Sequence, residues 1–201
     1  MTTERTATGT TGPLPVVEAI RRRRSVREFV DRPVRKESLE RMLEAARWAP
    51  NHRLTFPWRF FVLDKGGTTR TRVAELTREW THANNPQLPD QKRADTAQVA
   101  AREVLDAPAF MYFYAVPGAN EEVTRENYAA VCIAAQNMQL AALAEGLAVG
   151  WSTGRATKHV DLASTLGADP SWQLVGAFFI GYPATQPRPQ RPEATQHTVW
   201  L

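Results

Sequence analysis

Residues 124–145, "TRENYAAVCIAAQNMQLAALAE", decide the fold. The run reads as one long helix, and Gly146 follows it where a C-terminal cap belongs. Its middle is apolar nearly all round, so it must be covered on several sides. A chain of 201 residues rarely surrounds such a helix alone. The helix is therefore expected to pack in the interface of a dimer.

The segments around it supply the sheet that it packs against. "WRFFVL" (58–63) reads as a buried strand, "AFMYFYAV" (109–116) as a second, "LAVGW" (147–151) as a third and "WQLVGAFFIGYP" (172–183) as the last. Helices are expected between them. A short one carries Val16, Val17 and Ile20 on one face and ends near the arginines that follow. A clearer one sets Leu39, Met42, Leu43 and Ala46 at helical spacing and stops at Pro50. Residues 68 to about 105 give two surface helices with "NNPQLPD" (84–90) between them, and another helix runs over 158–166. Four strands among more numerous helices make an α+β protein, a sheet with a long helix against it. Residues 1–12 are expected to be a disordered leader and 13–201 a single domain. The proline-rich tail ends on Val199, Trp200 and Leu201, so it is expected to dock somewhere.

Composition is that of an ordinary soluble domain, 43% apolar and 23% charged, and the net charge is +4. That excess is local. "RRRRSVR" (21–27) holds five arginines and no acid, and the rest of the chain has 20 basic against 21 acidic residues. A nucleic-acid-binding arm built on Arg21–Arg27 is one reading of the run, but a broad basic face is missing, so no nucleic-acid partner is expected. The single cysteine, Cys132, sits among apolar neighbours and reads as a buried hydrophobe. The four histidines are scattered without an i, i+4 pair, so no metal site is expected. No apolar run approaches the roughly 20 residues of a membrane span, and no signal peptide is legible. A cytoplasmic protein with no membrane partner is expected.

Neither a G-x-G-x-x-G after a strand nor a P-loop occurs. "GWSTG" (150–154) does match the nucleophile elbow of a serine hydrolase, with Ser152 as nucleophile, Asp161 or Asp169 next and His197 last. The context is against it, because an elbow needs several strands on either side and only one core strand follows. The arginine run offers other chemistry. A helix end followed by "RRSVR" gathers guanidinium groups, a hydroxyl and free backbone N–H groups, a donor set suited to a phosphate monoester.

"RRSVREF" (23–29), "APNHRLTFPWRFFVL" (49–63), "GWSTG" and "LVGAFFIGYPATQPRP" together resemble the nitroreductase family, in its short single-domain branch, over roughly residues 14–192. The resemblance implies an α+β fold with a central, mostly antiparallel sheet flanked by helices and a long buried helix at a homodimer interface. It also implies FMN in each of two sites at that interface. By position, Arg23, Arg24 and Ser25 would hold the FMN phosphate and ribityl chain, and Arg27 would lie near the phosphate or the pyrimidine edge of the flavin. Asn51 and His52 would reach the flavin from the other subunit. Trp151, Ser152, Thr153 and Gly154 would give a backbone-rich segment beside the ring, and Arg191, with Arg188 as a second candidate, would close the phosphate site.

The family usually has a polar residue just before "PW"; this chain has Phe56, which either loses a flavin contact or makes the substrate pocket more apolar. The chemistry implied is ping-pong hydride transfer through FMN, from NADH or NADPH to a small-molecule acceptor such as a nitroaromatic or a quinone. No catalytic side chain is named.

Overall fold

In the computed structural model, which describes residues 15–188 and 190–201, the long run forms a helix over Glu121–Ala144. The leader expected over 1–12 lies outside the described residues. The helix starts three residues before the apolar pattern does, because Asn120 caps it: its side-chain oxygen accepts the Val123 N–H at 2.9 Å. At the other end Gly146 has φ +70°. Its N–H donates to the Leu143 carbonyl at 3.0 Å, and the Leu147 N–H donates to the Ala142 carbonyl at 2.8 Å. These two bonds satisfy carbonyls that the helix leaves open, and glycine takes the left-handed turn without strain.

In chain order the helices are α1 (Val16–Arg22), α2 (Lys36–Arg47), α3 (Thr68–Ala83), α4 (Asp90–Asp106), α5 (Glu121–Ala144) and α6 (Leu162–Leu166). The strands are β1 (Trp58–Leu63), β2 (Ala109–Ala115), β3 (Ala148–Ser152) and β4 (Gln173–Gly181). They form one sheet in the order β1-β2-β4-β3, with every strand pair antiparallel. Every residue of β2 is buried, as a central strand covered on both faces requires. Met111, Phe113, Phe178 and Ile180 face the core shared with α2 and α5. Phe110, Tyr112, Tyr114 and Phe179 point the other way and meet Val73 of α3 and Val104 of α4. The chain is thus three layers thick, with α5 and α2 on one side of the sheet and the α3–α4 pair on the other.

Some expectations need correction. Residues 58–63 were expected to be buried, but β1 is an edge strand in which Leu63 alone is buried. Cys132 is half-buried on the flank of α5, not in the core. The helix expected over 158–166 shrinks to α6, preceded by a 3-10 turn at Arg155–Thr157. There the His159 ring nitrogen accepts the Asp161 N–H at 3.1 Å, a local bond that competes with helix formation. Ile133 of α5 is 41% exposed and Val16, Val17 and Ile20 of α1 are exposed as well. Within the chain the C-terminal Val199, Trp200 and Leu201 also remain exposed rather than docked. No helix among the described residues is long and apolar enough to cross a membrane.

Candidate functional site

The site grows from the way the chain leaves α1. The Arg24 guanidinium folds back and donates to the carbonyls of Arg21 and Arg23, the latter at 2.8 Å, which ends the helix. Ser25 then pairs in parallel with Val149 on the outer edge of β3, and the Val26 N–H donates to the Val149 carbonyl at 3.2 Å. The segment next crosses the α3–α4 face of the sheet. Two glycines let it pass. A Cβ on Gly150 would lie 2.5 Å from the Val26 carbonyl oxygen, and one on Gly181 would lie 2.8 Å from the Phe29 ring. The crossing ends where Val30 donates its N–H to the Tyr182 carbonyl at 3.0 Å.

This path divides the arginine run. Arg22 faces Glu18 at 4.0 Å, Arg24 turns only its Nη1 to backbone carbonyls, and Arg23 reaches Gln139 of α5 at 3.3 Å. The arginines therefore point several ways and do not form one basic stripe. Burial lowers the pKa of Arg23, and the neighbouring Arg191 and Arg24 add to that lowering. Among the described residues no carboxylate lies within 4.0 Å of Arg23, Arg24 or Arg191. The Arg24 Nε is buried with no partner. Cations held together against their own repulsion, with a donor left over, fit a doubly charged phosphate. Arg24 also lines a cavity of about 470 Å³ with Arg21, Arg22 and Arg188.

Arg27 goes elsewhere. Its guanidinium stacks 4.4 Å from the centre of the Phe179 ring and faces Glu103 of α4 at 3.7 Å. The same carboxylate faces Arg155 at 3.5 Å, just beyond Gly154. Arg27, Glu103 and Phe179 form one wall of a cavity of about 600 Å³.

At the end of β3 the side chains of "GWSTG" separate by strand alternation. The Trp151 indole turns into the α5 side of the core, against Phe113 and Phe178. Its Nε1 is buried without a partner beside Gly176. Trp151 can thus offer a ligand its backbone but not its ring. Ser152 is buried, and its hydroxyl oxygen accepts the Gly154 N–H at 3.2 Å. Thr153 and Gly154 are exposed. His197 lies in an exposed turn of the tail and Asp169 is bonded to Ser171, so no triad forms around Ser152. A serine-hydrolase reading has no geometry to support it.

Asn51 and His52 do not join this group within one chain. They precede β1, and β1 and β3 are opposite edges of the sheet, three strand spacings or about 14 Å apart. Asn51 works inside its own loop, donating to Thr55 at 3.1 Å and accepting the Phe56 N–H at 2.8 Å. This loop holds Leu54 and Phe56 at φ +52° and +47°, a conformation that side chains disfavour. Both are exposed, and with Trp48 and Trp58 they line a cavity of about 500 Å³. His52 is exposed. Glu103 and Arg155 are the residues that sequence reasoning missed; neither stands in a motif, and only the packing of α4 beside the 3-10 turn brings them to Arg27.

The nitroreductase family model matches residues 20–182. The chain is 27% identical over 170 residues to Bacillus subtilis YfhC, which carries a provisional NAD(P)H nitroreductase name, and 85% of each chain is covered. It superposes on the nitroreductase-like family protein from Bacillus cereus with a TM-score of 0.80 and 27% identity, covering 96% of this chain and 98% of that one. NfnB of a Sphigopyxis strain, an FMN and NADPH-dependent nitroreductase, shares the fold with a TM-score of 0.75 at 21% identity, over 94% of this chain and 99% of its own. Its α+β architecture, its antiparallel four-stranded sheet and the match across most of its length identify the chain as a member of the nitroreductase family.

Proposed function

We propose that this chain is an FMN-dependent oxidoreductase that uses NADH or NADPH to reduce a small-molecule acceptor such as a nitroaromatic or a quinone. One observation carries the reading: Arg23 and Arg24 stand just before the Ser25–Val149 pairing at the edge of β3, with no carboxylate within 4.0 Å among the described residues and the Arg24 Nε buried without a partner, in a chain of nitroreductase fold. Family membership and the FMN and NADPH dependence of NfnB, a protein of the same fold, support the choice of cofactor and donor.

Arg23, Arg24 and Arg191 would hold the phosphate and Ser25 the ribityl chain. Thr153 and Gly154 would face the ring with exposed backbone. Bound FMN would supply hydride transfer between a reduced nicotinamide and the acceptor. Arg27 would lie at the ring edge where negative charge develops and hold it electrostatically. Phe56, Leu54 and Trp58 would give the acceptor an apolar wall.

A second copy of the chain completes the site in this reading. Asn51, His52 and Phe56 stand at the β1 edge of the sheet and Arg23–Ser25 at the β3 edge, whereas the exposed Ile133 of α5 offers an apolar contact for pairing. Stopped-flow reduction tests the function. NADH or NADPH should bleach the FMN-loaded protein, and a nitroaromatic or quinone should restore the colour, with parallel double-reciprocal plots. An FMN-loaded protein that neither nicotinamide bleaches would refute the proposed activity.

A further inference from the structure

Glu103 lies outside every motif, yet it is the only carboxylate among the described residues recorded within 4.0 Å of Arg27. Its two oxygens divide between two segments of the site. Oε2 faces Arg27 at 3.7 Å, on the segment that crosses the sheet, and Oε1 faces Arg155 at 3.5 Å, just after Gly154. Both separations exceed the roughly 2.7–2.9 Å of a charge-assisted hydrogen bond. The guanidinium donors of Arg27 are therefore not consumed by the carboxylate and stay available to a ligand. Phe179, stacked 4.4 Å from the guanidinium, fixes where that cation sits. Burial and Arg155 both lower the pKa of Arg27, and Glu103 opposes them.

We infer that Glu103 is a positioning residue that sets how much of the Arg27 charge reaches the bound flavin, and so tunes its reduction potential. The inference rests on the FMN reading above. Hydride uptake delivers two electrons and one proton, so the bound group gains one net negative charge. A cation at the ring edge favours that gain, and a carboxylate beside the cation offsets it. Arg155 in turn draws part of Glu103 away from Arg27. The carboxylate is 38% exposed, and exposed ion pairs add little to stability, so its removal leaves the fold intact.

The test compares wild type, Glu103→Gln and Arg155→Gln, each loaded with FMN, by equilibrating with a redox dye of known potential. Glu103→Gln should bind reduced FMN about tenfold more tightly relative to oxidised FMN. For a two-electron couple that is a rise of about 30 mV. Arg155→Gln should move the potential the other way, because Glu103 then acts on Arg27 alone. The opposite signs separate tuning from general damage, which would push both variants in one direction. Potentials of both variants unmoved, in proteins that bind FMN normally, would overturn the role of Glu103 and leave the flavin reading standing. A wild type that takes up no FMN would overturn the flavin reading, and this inference with it.

Discussion

Replacing Gly150 by alanine should injure stability and cofactor binding together, for a reason visible in the crossing segment. The added Cβ would lie 2.5 Å from the Val26 carbonyl oxygen, 2.8 Å from the Arg27 Cγ and 3.3 Å from its Nε. A carbon–oxygen contact relaxes to about 3.3 Å, so Val26 must retreat by roughly 0.8 Å. That movement opens the Val26 N–H to Val149 carbonyl bond, already at 3.2 Å, which contributes about 1 kcal/mol. With an overpacking cost of roughly 1–3 kcal/mol, the loss is about 2–4 kcal/mol, or a fall in Tm of about 4–16 °C. The same displacement moves Arg27 and Ser25 from the positions proposed to meet FMN, so FMN affinity falls as well. Gly167→Ala is the control. It has φ +68° and nothing within 4 Å of the added Cβ, so it loses about 1 kcal/mol through backbone strain and leaves FMN affinity unchanged. Urea unfolding at 25 °C and fluorescence titration with FMN read both effects. A Gly150→Ala protein within 0.5 kcal/mol of wild type that binds FMN equally well would refute the reasoning.

Three further expectations test other parts of the account. Burial pushes the Tyr114 hydroxyl up to about 12 and raises Tyr112 well above the ordinary tyrosine value. Their contribution is fully present below the unfolded value near 10, and from there each favours unfolding by about 1.4 kcal/mol per pH unit until its folded value is reached. Alkaline titration should therefore show the tyrosinate absorbance of these two appearing with loss of the far-ultraviolet CD signal, not before it. Glu145, held below the usual carboxylate range by Arg41 and Ser38, ties α2 to the end of α5. Glu145→Gln should lose about 1–2 kcal/mol at pH 7, and the difference from wild type should shrink as pH falls through the depressed pKa, as urea unfolding across pH will show. Phe56→Gly should relieve the left-handed backbone at φ +47° and leave stability equal or up to about 1 kcal/mol higher. It should also raise KM for flat aromatic acceptors more than it changes kcat, in steady-state assays.

Much of the architecture was legible because its signals are local. The apolar run of α5 and its Gly146 cap fix the central helix, and the uninterrupted apolar stretches of β2 and β4 mark strands covered on both faces. β1 has a similar composition, yet its exposure is set by its place at the end of the sheet, and strand order is not written in any one strand. Arg23, Arg24 and Ser25 of the candidate phosphate site stand out in sequence because they are adjacent, whereas Arg191 lies far along the chain and is singled out only by the family resemblance. Glu103 was not legible, since the contact that matters joins positions 76 residues apart and depends on how α4 packs. Nor does any residue type announce the left-handed backbone of Leu54 and Phe56. That follows from the hydrogen bonds Asn51 makes inside its loop.

The central claim is that the arginines gathered at the edge of β3 bind FMN. Titrating the purified protein with FMN, beside Arg23→Ala, tests it most directly. The account predicts one FMN per chain for the wild type and, for the variant, affinity lower by about tenfold to a hundredfold, the loss of one charge-assisted phosphate contact. A wild-type protein that takes up no FMN, or a variant that binds it equally well, would contradict it.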